Sequence, residues 1–97
     1  MEIKTSSEGS KLIISVSGRV DTVTAPEFEA GMKFGDATVV VLDLANVPYM
    51  SSAGLRVLLT AHKTMLGKGG ELQVSNVQPA VKEVLDLTGF SDLLNLV

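Results

Sequence analysis

Residues 39–59, VVVLDLANVPYMSSAGLRVLL, decide how this chain folds. The β-branched run that opens them, Thr38–Leu44, has the pattern of a strand buried on both faces. A short polar loop with Pro48 follows. From Ser52 onward, Leu55, Leu58, Leu59, His62 and Leu66 recur at helical spacing and predict a helix with one apolar face. That helix opens on Ser51, Ser52 and Gly54. Small hydroxyls then sit where backbone N–H groups are unpaired and the helix dipole is positive, so an anion is welcome. The turn reads three ways: bound phosphate, phosphate added covalently to a serine, or plain capping by one serine, worth ~1 kcal/mol.

Upstream, Glu2–Ser6 and Lys11–Ser17 are strand-like around the turn Glu8-Gly9-Ser10, which predicts a hairpin. Leu12, Ile14 and Val16 share one face, and Gly18 ends the run. Thr24-Ala25-Pro26-Glu27 spells a helix start, with Thr24 as cap, Pro26 in the first turn and Glu27 completing a capping box. Gly31 and Gly35 bracket that helix's end. Downstream, Gly67 and Gly69-Gly70 stop the central helix, and Glu71–Ser75 is a strand. Gln78–Thr88 is a helix with Val81, Val84, Leu85 and Thr88 facing inward, closed by Gly89. Leu93–Val97 reads as a last short strand or extended tail. The order β-β-α-β-α-β-α-β predicts an α/β fold. Its sheet is mixed and mainly parallel, with an N-terminal antiparallel hairpin and helices packed on it.

Ninety-seven residues are enough for one domain with one modest core. A net charge of −3 with scattered cations, and aromatics at 4%, remove both the basic footprint and the stacking platforms that nucleic-acid binding needs. With no cysteine and one histidine, His62, neither thiolate nor His-rich metal sites can form. The acidic residues show no metal-loop spacing, and no GxSxG elbow is present. Gly67-Lys68-Gly69-Gly70 precedes a strand and lacks the phosphate-loop spacing, so it reads as a helix cap and turn. No metal, cofactor or catalytic residue is expected. No apolar run approaches the ~20 residues of a membrane span, and no signal core opens the chain, so the default location is the cytoplasm.

Asp21 follows the second strand in GRVDTVTA. In a parallel α/β sheet the strand ends gather on one side, so Asp21 and Asn46 are expected near Ser52. A carboxylate there would orient a serine hydroxyl or repel an attached phosphate. The plainer reading is a loop or near-cap carboxylate. Gly54 leaves room for another backbone or a large group to come close.

Pro48-Tyr49-Met50-Ser51-Ser52-Ala53-Gly54-Leu55, with Val41-Leu42-Asp43-Leu44 before it, resembles a STAS domain, and more narrowly the bacterial anti-sigma-factor antagonists. Gly18-Arg19-Val20-Asp21 is similar to that family's G-x-[LV]-D, and Gly69-Gly70-Glu71-Leu72 to its G-G-x-L. Gln78-Pro79-Ala80-Val81 and Leu87-Thr88-Gly89-Phe90 are similar to its tail. Aligned on Gly54, the resemblance implies that Ser52 is the phospho-acceptor. Ser51 stands where the family usually has Asp, and Ala53 removes a second hydroxyl. Asp21 matches the acidic residue near the phosphosite, and Asn46, Ser51, Ala53 and Gly54 complete the site's environment. The first helix is shorter than usual. The family normally continues beyond the position of Val97 into a last helix, so the expectation is a single domain over 1–97 with that helix missing or short.

The resemblance implies a partner switch rather than an enzyme. The unphosphorylated domain would bind a serine-kinase anti-sigma factor and release the sigma factor. Phosphate on Ser52 would end that binding, and a serine phosphatase would restore it. Self-association is left open by the shortened ends. The alternative is a non-switching STAS subunit of a lipid-transport ABC complex.

Overall fold

The computed structural model describes every residue from Met1 to Val97. The chain runs β1 (Glu2–Glu8), β2 (Lys11–Ser17), α1 (Ala25–Ala30), β3 (Val39–Asn46), α2 (Ser52–Gly67), β4 (Glu71–Ser75), α3 (Pro79–Thr88), α4 (Phe90–Leu93) and β5 (Asn95–Leu96). The five strands form one sheet in the spatial order β1-β2-β3-β4-β5. β1 and β2 pair antiparallel across the Gly9-Ser10 turn, and every later pair is parallel. This is the mixed, mainly parallel sheet with an N-terminal hairpin that the alternation of patterns predicts.

Register explains which strand residues enter the core. Leu12, Val40 and Leu72 stand side by side, as do Ile14, Leu42 and Val74. Ile14, Val40, Leu42, Leu72 and Val74 are buried, and one apolar cluster joins them to Phe28 of α1, to Leu55, Leu58 and Met65 of α2, and to Val81 and Leu85 of α3. The opposite face carries Ile13, Val41 and Gln73 in one row and Lys11, Val39 and Glu71 in the next. None of these belongs to the core cluster. β3 is therefore covered on one face only, against the expectation from its β-branched run. Along β3, Val40, Leu42 and Leu44 are buried and alternate with partly exposed Val39, Val41 and Asp43.

Other details also depart from the pattern. In α2 the inner stripe is Gly54, Leu55, Val57, Leu58, Ala61 and Met65, while Leu66 is 58% exposed. Smaller Ala61 and the flexible Met65 fill the space over the sheet, and the leucines on the flank turn outward. In α3, Val81 and Leu85 are buried, but Thr88 is exposed and its hydroxyl donates back to the Val84 carbonyl at 2.8 Å. Gly89 closes α3 in the left-handed region, at φ 80°, where only glycine sits without strain. The tail is not simply extended: α4 takes residues 90–93 before β5 adds two residues beside β4.

Candidate functional site

Two loops on one side of the sheet build the site: residues 18–24 after β2 and residues 47–51 after β3. They are cross-linked as a short parallel pair. Gly18 N–H donates to the Asn46 carbonyl at 2.9 Å, Val20 N–H to Tyr49 O at 2.9 Å, and Ser51 N–H to Val20 O at 2.8 Å. Val20 and Met50, both buried, lie at the centre of this bridge. α2 starts directly on top of it. A Cβ on Gly54 would come within 2.6 Å of both Val20 Cγ1 and Met50 Cγ, so only glycine lets the first turn settle here. The close approach read from Gly54 is thus made by the protein's own loops.

The two serines divide. Ser51 is the N-cap, with extended backbone (φ −86°, ψ 176°), and its carbonyl accepts the Leu55 N–H at 3.0 Å. Its side chain makes no capping bond; the hydroxyl oxygen is buried and has no hydrogen-bond partner. Ser52, the first residue of α2, is exposed. The amides ahead of Leu55 have no intrahelical acceptor, so they and the helix dipole leave the Ser52 end of α2 electropositive. Ala53 and Arg56 line a shallow cleft with Thr22, Pro26 and Glu29 of the facing loop and α1.

Asp21 behaves as a cap. Its carboxylate accepts from Val23 N–H at 2.9 Å and Thr24 N–H at 3.0 Å, while Asp21 N–H donates to Thr24 Oγ1 at 2.9 Å. That is a reciprocal capping box begun three residues earlier than the Thr24-to-Glu27 box expected from the sequence, and Thr24 makes no side-chain bond to the helix it precedes. Thr24 Oγ1 instead donates to the Arg19 carbonyl at 2.8 Å. The Thr24 backbone hydrogen bond, helped by those from Val23 and the Thr24 hydroxyl, holds the Asp21 carboxyl below the usual carboxylate range against some desolvation. Asn46 contributes its carbonyl to Gly18; its side chain is exposed and makes no hydrogen bond.

The sequence reading missed the cations. The chain has two arginines, and both stand at this end of the molecule. The Arg19 guanidinium lies 4.4 Å from the centroid of the Tyr49 ring. Neither arginine forms an ion pair; the pairs present are Lys4–Glu2 and Lys82–Asp86. Tyr49 is 40% exposed and Val23 85% exposed, so the two loops present an aromatic, an aliphatic and a cation to solvent. Their signal in the sequence is position: Arg19 lies within Gly18-Arg19-Val20-Asp21, and Arg56 directly follows Ser51-Ser52-Ala53-Gly54-Leu55. His62 stays outside the site, partly buried on α2 with its Nδ1 unpartnered. Gly67-Lys68-Gly69-Gly70 is the expected cap: Gly70 N–H donates to Met65 O at 2.8 Å and the Lys68 amine to Gly35 O at 2.5 Å.

Fold and site together define a small mixed α/β domain that offers one exposed serine at the head of its longest helix and groups no residues for a metal. Its sequence matches the STAS domain profile over residues 2–97. The anti-sigma F factor antagonist of Paenibacillus polymyxa is 32% identical over 87 residues, covering 86% of this chain and 74% of that one. BtrV of Bordetella bronchiseptica, a proposed anti-sigma factor antagonist, is 39% identical over 83 residues, 81% of this chain and 71% of its own length. The crystal structure of an anti-sigma factor antagonist from Mycobacterium paratuberculosis superposes with a TM-score of 0.87 at 26% identity, covering 98% of this chain and 83% of that one. The chain belongs to the STAS domain family, in its anti-sigma-factor antagonist branch. No helix is long and apolar enough to cross a membrane.

Proposed function

We propose that the unphosphorylated domain binds a serine-kinase anti-sigma factor, so that the sigma factor is released, and that phosphorylation of Ser52 ends this binding. The kinase moves the γ-phosphoryl group of ATP to Ser52 Oγ, which loses its proton, and ADP leaves. A serine phosphatase reverses the modification. The chain is then substrate and binding module. One observation carries the choice of residue: the Ser51 oxygen is buried, whereas Ser52 is exposed at the start of α2. A kinase can reach only the second hydroxyl. Asp21, Asn46, Ser51, Ala53 and Gly54 shape the surface around it rather than reacting.

The added group carries about −1.5 to −2 charges at neutral pH. Each 1.4 kcal/mol lost at an interface lowers affinity about tenfold, so a dianion meeting an acidic or apolar partner surface is sufficient to break it. The test is incubation with the cognate kinase and ATP, followed by mass spectrometry and a pull-down. Phosphate at Ser52 with loss of the partner is the expected result. Phosphate that survives Ser52→Ala sinks the assignment, and co-purification of an ABC-transport ATPase in place of a kinase favours the transport subunit.

A further inference from the structure

We propose that Arg56 is the intramolecular counter-ion of phosphorylated Ser52, a reading that rests on Ser52 being the modified residue. Ser52 and Arg56 are both exposed and stand four residues apart on α2, so they are neighbours on one stripe of the helix, separated by ~6 Å of rise. Arg56 makes neither an ion pair nor a side-chain hydrogen bond, although Glu29 lines the same cleft. Its charge is uncommitted until a stronger anion arrives. The planar guanidinium matches a phosphate through two parallel N–H···O bonds, a geometry that lysine lacks. An anion N-terminal to a cation at this spacing is also the favourable orientation with respect to the helix dipole.

The other charged groups facing the phosphate position are few. Arg19 is stacked on Tyr49, and the Asp21 carboxylate is turned onto the Val23 and Thr24 amides. Glu29 opposes from α1 across the cleft. Arg56 alone combines freedom with the right spacing. The consequence is that the phosphate folds back along α2 toward the cleft, and the modified surface loses a free arginine as well as gaining negative charge.

The experiment installs phosphoserine at position 52 during translation, so no kinase is needed, and follows its second ionisation by ³¹P NMR. Arg56 favours the dianion, so the native protein should show a second pKa lower than that of R56Q by about 0.3 unit or more. R56K should fall between the two. K63Q removes an exposed cation eleven residues from Ser52, ~16 Å along the axis and beyond the ~8 Å screening length, and should move the value by less than ~0.1 unit. Equal values for the native protein and R56Q, or an equal shift from K63Q, overturn the pairing. Failure of the kinase to modify Ser52 would sink the functional reading instead and leave this titration standing.

Discussion

Replacing Gly54 by alanine should destabilise the domain even though alanine is the better helix former. The new methyl would lie 2.6 Å from Val20 Cγ1 and 2.6 Å from Met50 Cγ, where ordinary contact begins at 3.4 Å. Each neighbour must yield about 0.8 Å (3.4 − 2.6). Val20 is fully buried and its branched side chain is stiff about χ1; Met50 is 1% exposed and bends more easily. Overpacking of this kind costs about 1–3 kcal/mol. The helix propensity gained is at most about 1 kcal/mol, and less in a first turn. The net loss should be about 1–2 kcal/mol, a fall of roughly 4–16 °C in Tm for a domain of this size. A double-mutant cycle with Val20→Ala isolates the cause. Removing Cγ1 should lower the cost of Gly54→Ala by more than about 0.5 kcal/mol, since residues in contact do not add. Thermal and urea unfolding of the four proteins measure this. A Gly54→Ala protein at least as stable as the parent, or strict additivity with Val20→Ala, would falsify the packing of α2 onto the loop bridge.

Further outcomes follow from the same site. Ser51→Ala should leave Tm unchanged or raised, because the hydroxyl is buried without a partner and caps nothing; a loss near 1 kcal/mol would mean that it does cap. Asp21→Asn should narrow its stability gap to the parent as pH falls. The folded carboxyl titrates below its ordinary 3.8, so the charged cap's contribution is complete above that value and disappears as pH drops through the lowered folded one. A gap that stays constant from pH 7 into acid would contradict this. Tyr49→Ala should cost under about 1 kcal/mol of stability, since an exposed cation–π contact is worth ~0.5–1 kcal/mol. Calorimetry with the kinase partner should nevertheless show affinity falling by more than about tenfold, as for a central aromatic anchor. Unaltered affinity would place the interface elsewhere.

The sheet was legible because its signals are local. β2 and β4 have the bounds that their alternation predicts, and the glycines at 67–70 and 89 stop the helices where expected. What the sequence concealed is set by non-local contacts. A β-branched run such as Val39-Val40-Val41 looks the same whether one face or two are covered, because burial depends on what the rest of the chain places there. Asp21 and Thr24 can each cap, and only the turn geometry of residues 21–24 selects the reciprocal pair over the Thr24-to-Glu27 box. α4 is too short to show a helical period. Within the site, the resemblance already points to Ser52 through its alignment on Gly54, but the residues alone do not tell which of the two hydroxyls is exposed. That difference is a tertiary one: Ser51 N–H is tied to the Val20 carbonyl and its hydroxyl is buried, whereas Ser52 is exposed.

That arrangement also constrains how a switch at Ser52 can operate. The first turn of α2 is wedged on Val20 and Met50 through Gly54, and Leu55, Val57 and Leu58 behind it are buried in the core. A phosphate on the exposed side of that turn has no cavity to enter and no strained segment to release. Moving α2 to accommodate it would disturb packing at a cost of several buried side chains, each about 1.5–3 kcal/mol. Placing the phosphate on the surface, beside a free guanidinium and a helix N-terminus, costs far less. On the proposed reading the domain therefore keeps its fold in both states, and the energy of the switch resides in the complex. Phosphorylated and unphosphorylated proteins should then give superimposable amide spectra except around residues 19–24, 49–57 and the facing turn of α1, while differing by orders of magnitude in partner affinity. Widespread shifts through β3 and β4 would show that the core takes part and would refute a purely surface mechanism.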